Sequence, residues 1–215
     1  MANISKRKRQ GNSGVRIKIC GLKSPEDIRM INTYRPDYCG FIINFPKSHR
    51  SRSADQVRAL VAELDRSRIT PVGVFVDEPL EHVTELLRDG TIEIAQLHGK
   101  EDEAYIRKLQ SMTGKPVIKA FQIKNAEDIH HAIESPADYI LLDKGQGSGE
   151  TFDWSLPGAI ERPWFLAGGL NDENLAQAIE RLRPWAVDLS SSVETEQRKD
   201  AEKIRRVIEI VRDHP

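Results

Sequence analysis

Apolar and polar residues alternate along this chain in short blocks, and each block predicts a strand or a helix. The segment Arg16-Ile-Lys-Ile-Cys-Gly21 alternates with a period of two, which predicts a strand with Ile17 and Ile19 facing a core. The following residues, Ser24-Pro25-Glu26-Asp27, supply a serine N-cap, a proline at the first helical position and acids in the first turn. A helix is therefore expected directly after this strand.

The same strand-then-helix pattern recurs to the end of the chain. Apolar runs predict strands over residues 16–20, 38–43, 71–76, 92–97, 117–122, 139–143, 164–167 and 186–190. Helical spacing predicts helices over residues 25–34, 54–64, 80–88, 102–112, 126–134, 171–181 and 200–212, with a short, weak one over 155–160. Strict alternation requires parallel strands joined by helical crossovers.

Eight such units predict an α/β fold, a single-domain (β/α)8 TIM barrel over residues 15–215. An open, doubly wound sheet is the alternative fold. The first loop lacks a full Gly-x-Gly-x-x-Gly dinucleotide pattern, which weighs against that alternative.

Composition narrows the class of protein. The chain has 32 basic and 33 acidic residues, so its formal charge of −1 predicts no binding to nucleic acid or to a membrane surface. No apolar run is long enough to span a bilayer, and two cysteines do not make a disulfide framework, so a cytoplasmic location is expected. Residues 1–14 are polar and basic without the apolar core of a signal peptide. We expect a short disordered tail there, with nucleic-acid or surface binding as the alternative.

A reactive thiol is predicted at the end of the first strand. If the barrel closes, side chains at the carboxyl ends of its strands share one opening, the barrel mouth. Cys20 lies there, and Lys18 on the same strand face is a candidate for lowering the thiol pKa from its ordinary ~8.5. Cys39 precedes a glycine inside a strand and is interpreted as a core residue. Cys20 is thus a candidate nucleophile or base.

Two carboxylates compete for the role of proton donor. Asp143 ends an apolar strand, where burial over the barrel core is expected to raise its pKa and keep a proton for donation. Asp188 ends the eighth strand, next to the first, so Lys18 is expected to pair with it and leave it ionised. Asp143 is therefore the preferred acid, and Asp188 is either structural or a hydrogen-bond partner of the substrate. His98 is interpreted as a barrel-lining residue rather than a base.

Two loops are candidate anion sites. Gly168-Gly169 leads into a helix, and Ser190-Ser-Ser192 follows the eighth strand, the two positions at which barrels often hold phosphate. Arg50 is able to clamp a planar carboxylate with two parallel N–H bonds, with Arg52 and His49 as alternatives. No Cys-x-x-Cys or His-x-x-x-His spacing indicates a metal site.

Seven motifs in this order resemble those of the phosphoribosylanthranilate isomerase family of tryptophan biosynthesis. They are Lys18-Ile-Cys-Gly21, Pro46-Lys-Ser-His-Arg50, Val72-Gly-Val-Phe-Val76, Gln96-Leu-His-Gly99, Leu141-Leu-Asp143 with Gly147-Ser-Gly149 and Thr151-Phe-Asp-Trp154, Ala167-Gly-Gly-Leu170, and Val187-Asp-Leu-Ser-Ser191. They cover nearly the whole chain except residues 1–14.

The resemblance implies an isomerase that needs no cofactor or metal and rearranges a phosphorylated sugar-amine, N-(5-phosphoribosyl)anthranilate, as a monomer or homodimer. It implies Cys20 as general base, Asp143 as general acid and Arg50 as the carboxylate ligand. The phosphate would lie at Gly168, Gly169, Ser191 and Ser192, with Asp188 and His98 as further possible contacts. A barrel isomerase of another phosphoribosyl-amine and a non-catalytic phosphate-binding barrel are the alternatives.

The chain departs from the family pattern at two places. Ser192 stands where the family usually has glycine, and Gln197-Arg198 stands where it usually has Pro-Gly or Gly. A serine keeps the backbone amide but adopts a positive φ less readily. The conformation of Ser192 therefore decides whether the change matters.

Overall fold

Eight parallel strands close into a barrel in the order β1 to β8. The computed structural model describes residues 14–144 and 160–214. The strands are β1 Arg16–Cys20, β2 Tyr38–Ile42, β3 Thr70–Phe75, β4 Ile94–Leu97, β5 Val117–Gln122, β6 Tyr139–Asp143, β7 Trp164–Ala167 and β8 Ala186–Leu189. Because β1 pairs with both β2 and β8, the sheet has no free edge. The predicted barrel is confirmed, and the open sheet is wrong.

Seven α-helices pack around the barrel in the described part of the chain. They are α1 Pro25–Tyr34, α2 Ala54–Ala62, α3 Leu80–Arg88, α4 Glu103–Thr113, α5 Ala126–Glu134, α6 Leu175–Leu182 and α7 Ala201–Arg212. The Ser24 side chain accepts a hydrogen bond from the Asp27 backbone, so the predicted cap of α1 forms. None of these helices combines the length and apolar character that a membrane-spanning segment needs.

Several element boundaries differ from the predictions. Helix α6 begins four residues later than expected because Asn171 Oδ1 accepts bonds from the Glu173 and Asn174 amides, forming a separate turn first. A small antiparallel hairpin, β9 Glu194–Thr195 and β10 Arg198–Lys199, follows β8 and was not expected. The tail up to residue 13, the glycine-rich loop from residue 145 and the weak helix up to residue 159 lie outside the described residues.

Strand alternation divides the core into two layers. Ile17 and Ile19 belong to a large apolar cluster between the strands and the helices, as their spacing predicts. A smaller cluster, which includes Val72, Leu141 and Phe165, fills the barrel interior. Aromatic rings occupy the N-terminal end of that interior, and Trp185 packs there with Phe165, their ring centroids 5.4 Å apart. The buried polar side chains of the interior therefore lie at the opposite end, at the barrel mouth.

Candidate active site

A cavity of about 430 Å³ opens at the barrel mouth and brings together most of the predicted site residues. Its walls come from the ends of β1, β4, β6 and β8 and from the loops after β7 and β8. The residues that line it include Cys20, Gln96, His98, Asp143, Gly168, Gly169, Asp188, Ser191 and Ser192. Arg50 is not among the lining residues.

The thiol of Cys20 lies beside a buried ion pair. Lys18 Nζ donates a hydrogen bond to Asp188 Oδ2 at 2.8 Å, and both side chains are almost fully buried, so the predicted contact across β1 and β8 forms. Gly40 on β2 provides the space, because a Cβ there would lie 2.7 Å from Cys20 Sγ and 3.0 Å from Lys18 Nζ. The absence of one side chain thus lets a thiol and an ammonium group share one part of the barrel interior.

Burial dominates the electrostatics of this group. Burial raises the pKa of Cys20 above its ordinary value; Lys18 acts to lower it, as expected, but Asp188 adds to the rise and the net shift is upward. Burial lowers the pKa of Lys18, but the Asp188 carboxylate and the Cys20 thiol outweigh this effect and raise it overall. Burial likewise raises the pKa of Asp188, and the Lys18 ammonium group opposes that rise. Lys18 therefore acts on the thiol pKa in the predicted direction, but the net shift is upward.

Asp188 keeps one oxygen available at the cavity. Its Oδ1 atom is buried and has no hydrogen-bond partner among the described residues. A buried carboxylate oxygen without a donor is costly, so a donor supplied by a bound ligand is the natural partner. Asp188 is thus structural through one oxygen and available to a ligand through the other.

Asp143 lies at the end of β6 and faces a histidine. His98 Nε2 is 3.5 Å from Asp143 Oδ2, and on the other side His98 Nδ1 is 3.2 Å from Gln96 Nε2. A His98 tautomer with its proton on Nε2 would present a donor to Asp143, while its Nδ1 faces the Gln96 amide. Gln96 was not predicted as a site residue, although it lies in β4 two residues before His98, which directly follows the strand, and this spacing puts both on the same face.

Arg50 is held by a carboxylate that the sequence did not reveal. Its Nε and Nη2 atoms donate to Glu194 Oε1 and Oε2 at 2.7 and 2.6 Å. Lys199 Nζ, paired with Glu194 across the β9–β10 hairpin, also donates to Oε1 at 2.9 Å. Burial raises the pKa of Glu194, but these two cations outweigh it and lower the pKa to about 2. Glu194 is therefore ionised throughout the neutral range.

The two alternatives to Arg50 in this loop make different contacts. Arg52 donates from Nε to the Lys23 backbone oxygen at 2.8 Å. His49 Nε2 is 3.9 Å from Glu194, and burial together with the Arg50 charge lowers its pKa. Of the three candidates in this loop, only Arg50 is engaged in a bidentate carboxylate pair.

The two small-residue loops differ in backbone conformation. Gly168 and Gly169 have φ values of 87° and 69°, which favour glycine. Ser191–Val193 forms a single 3-10 turn, and Ser192 is not among the residues with positive φ, so a serine in place of the usual glycine is tolerated there. In residues 14–144 and 160–214, no cluster of three or more His, Cys, Asp or Glu side chains is placed to hold a metal ion.

The closed parallel barrel places the chain among the (β/α)8 barrels, whose enzymes carry their active sites at the C-terminal opening, where the thiol and two carboxylates lie. The family model for N-(5′-phosphoribosyl)anthranilate (PRA) isomerase matches residues 17–210. A relative of that name from Clostridium kluyveri is 43% identical over 202 residues, covering 93% of this chain and 98% of the relative. The chain belongs to the phosphoribosylanthranilate isomerase family and is an isomerase of tryptophan biosynthesis.

Solved structures agree with this assignment. A phosphoribosylanthranilate isomerase in complex with reduced 1-(o-carboxyphenylamino)-1-deoxyribulose 5-phosphate has a TM-score of 0.82 and 36% identity, covering 93% of this chain and 99% of that one. Monomers of the dimeric phosphoribosylanthranilate isomerase from Thermotoga maritima have a TM-score of 0.80 and 34% identity, covering 92% of this chain and 98% of that one. Fold and sequence therefore support the same family.

Proposed function

We propose that this isomerase converts N-(5′-phosphoribosyl)anthranilate to 1-(2-carboxyphenylamino)-1-deoxyribulose 5-phosphate, with Cys20 as general base and Asp143 as general acid. The observation that carries the proposal is that both side chains line one cavity, together with the Gly168–Gly169 and Ser191–Ser192 loops. A protein thiol and a protein carboxyl group that both contact one sugar can move two protons without a cofactor.

The reaction begins with ring opening. Asp143 gives a proton to the ribose ring oxygen, the bond from that oxygen to C1′ breaks, and a protonated imine forms between C1′ and the anthranilate nitrogen. The Nε2–H of His98, 3.5 Å from the Asp143 carboxylate, supplies a positive dipole beside the acid after it has lost its proton. Asp188 Oδ1 is available to accept a hydrogen bond from a sugar hydroxyl.

The second step moves the C2′ proton. Cys20, as thiolate, removes that proton, and the electron pair flows into the imine to give an enolamine. Reprotonation at C1′ and loss of the O2′ proton complete the ketone. The raised thiol pKa makes the thiolate a strong base, and Lys18 provides the positive charge that makes its formation less costly.

The ends of the substrate have separate binding groups in this proposal. The backbone amides of Gly168 and Gly169 and the hydroxyls of Ser191 and Ser192 hold the phosphate. Arg50 holds the anthranilate carboxylate from the edge of the mouth. We also propose that the enzyme works in the cytoplasm as a monomer or homodimer on a small-molecule substrate, and light scattering of the purified protein measures the oligomeric state.

The test is a fluorescence assay that follows loss of phosphoribosylanthranilate. Cys20→Ala and Asp143→Asn are expected to abolish turnover while the protein stays folded. Cys39→Ala is the matched control, because Cys39 is also buried and lies on the adjacent strand, but it belongs to the outer core layer. Turnover near the wild-type rate in Cys20→Ala would remove the assignment of the base.

A further inference from the structure

Glu194 accepts three side-chain hydrogen bonds from two cations near the barrel mouth, and the reaction steps above leave it unused. Both of its oxygens accept hydrogen bonds from Arg50, at 2.7 and 2.6 Å, and Lys199 adds a third at 2.9 Å. The Glu194 side chain is 6% exposed and that of Lys199 is 1% exposed. Such a site fixes an arginine in one orientation, because two parallel bonds restrain the guanidinium plane.

The Arg50–Glu194 pair leaves one edge of the Arg50 guanidinium group available to a ligand. A guanidinium group has five N–H donors, and Glu194 takes one from Nε and one from Nη2. No described residue accepts a hydrogen bond from Nη1, so the Nη1 and Nη2 edge can still form a second bidentate contact. The Arg50 side chain remains 17% exposed, so its pair with Glu194 does not bury it completely.

The local charge balance also favours an anion. Arg50 and Lys199 contribute two positive charges and Glu194 contributes one negative charge, so the cluster keeps a net positive charge. Lys199 is itself fixed, because it also donates to the Ser190 backbone oxygen at 2.8 Å. An incoming carboxylate therefore meets one oriented cation rather than two mobile ones.

The path of the Arg50 side chain is set by a glycine. A Cβ built on Gly21 would collide with Arg50 Cδ and lie 3.2 Å from Ser190 Oγ. Gly21, directly after Cys20, thus lets Arg50 cross the end of β1 and reach Glu194. The cluster is built from the loops after β1, β2 and β8 together.

We propose that Glu194 is a positioning residue for substrate recognition: by binding the Nε and Nη2 side of Arg50, it directs the remaining edge of the guanidinium to the aryl carboxylate of the substrate. This inference rests on the proposed role of Arg50. On this inference, Glu194 gives the enzyme its preference for a carboxylated over an uncarboxylated aryl amine. Glu194 itself does not touch the substrate.

The experiment measures a preference rather than an activity alone. Calorimetry gives the affinity of reduced 1-(o-carboxyphenylamino)-1-deoxyribulose 5-phosphate and of its phenylamino counterpart, which lacks the carboxylate. Glu194→Gln keeps the shape but loses the charge, and we expect the affinity ratio to fall about tenfold, within the range of coupling between contacting residues. The affinity for the uncarboxylated ligand should stay within about twofold of wild type.

Glu93→Gln is the matched control. Glu93 also lies between an arginine and a lysine, Arg66 at 2.6 Å and Lys115 at 2.7 Å, but it precedes β4 at the opposite end of the barrel. The affinity ratio of this variant should equal that of wild type. Glu194→Asp, which keeps the charge but is one methylene shorter, should lie between wild type and Glu194→Gln.

Arg50→Ala separates the two proposals. Loss of the preference in Arg50→Ala, with a retained preference in Glu194→Gln, would overturn the positioning role while the carboxylate role of Arg50 stands. A preference that survives in Arg50→Ala would overturn both. Equal loss of affinity for both ligands in Glu194→Gln would show a structural role and overturn the inference. In the Arg50→Ala background, Glu194→Gln should have no further effect on the preference.

Discussion

Replacing Lys18 with methionine should weaken the fold and the base together. Lys18 is fully buried and is the hydrogen-bond donor to Asp188 Oδ2, while Oδ1 has no partner among the described residues. In Lys18→Met the carboxylate loses that donor. Removing one member of a buried pair costs about 3–5 kcal/mol. For a domain of this size that corresponds to a fall in melting temperature of roughly 6–20 °C.

The pH dependence of this loss has a definite sign. Burial raises the pKa of Asp188, and Lys18 opposes that rise, so removing Lys18 raises the pKa further. The folded variant then holds a proton that the unfolded chain releases near its reference pKa of about 3.9. The free energy of unfolding of the variant therefore falls as pH rises above that value, and its deficit against wild type is smallest in acid.

Urea unfolding at a series of pH values measures the deficit. The double variant Lys18→Met/Asp188→Leu should recover most of the lost stability, because it removes the uncompensated charge. The rate of alkylation of Cys20, measured against pH in folded protein in which Cys39 stays buried, reports the thiol pKa. This pKa should be higher in Lys18→Met than in wild type. A single variant as stable as wild type at neutral pH, or a thiol pKa that is unchanged or lower, would refute this account of the pair.

Three further outcomes follow from other parts of the chain. Gly168→Ala would place a Cβ 2.5 Å from Asp143 Oδ1 at a φ of 87°, so kcat should fall at least about tenfold in steady-state kinetics. Changing Glu196 to Asn and Gln197 to Gly should raise the free energy of unfolding in urea by about 1 kcal/mol, because both residues have positive φ in the hairpin turn. An unchanged urea midpoint would contradict this. Deleting residues 1–14 should leave kcat and KM unchanged, whereas a nucleic-acid role for the tail requires salt-dependent binding that the deletion removes.

Sequence periodicity was sufficient to predict the centre of the site. The alternation of β1 places Lys18 and Cys20 on one face, and barrel closure makes β8 the neighbour of β1, so the contact with Asp188 follows from topology. The sign of the thiol pKa shift did not follow, because it depends on how strongly burial outweighs one nearby cation. That balance depends on the packing around Cys20, which the pattern of apolar and polar residues does not specify.

Contacts between loops could not be predicted. Arg50 and Glu194 are 144 positions apart, and neither belongs to a periodic segment that would fix the direction of its side chain. The hairpin that presents Glu194 was missed because its turn holds Glu196 and Gln197 where Asn and Gly usually signal a tight turn. Gln96, by contrast, was within reach of the sequence, since strand alternation places it beside His98.

Because β1 pairs with β8 to close the barrel, folding of this protein depends on the C-terminal part of the chain. Lys18 meets Asp188 across 170 positions of sequence, so the first strand gains its second neighbour only when almost the whole polypeptide has left the ribosome. Until then the nascent sheet exposes unpaired backbone at both edges, the state most prone to association with other chains. Any product that stops before β8 lacks both the counter-charge of Lys18 and the Ser190 hydroxyl that bonds to the Cys20 carbonyl. Premature termination should therefore yield aggregates rather than a partly active enzyme.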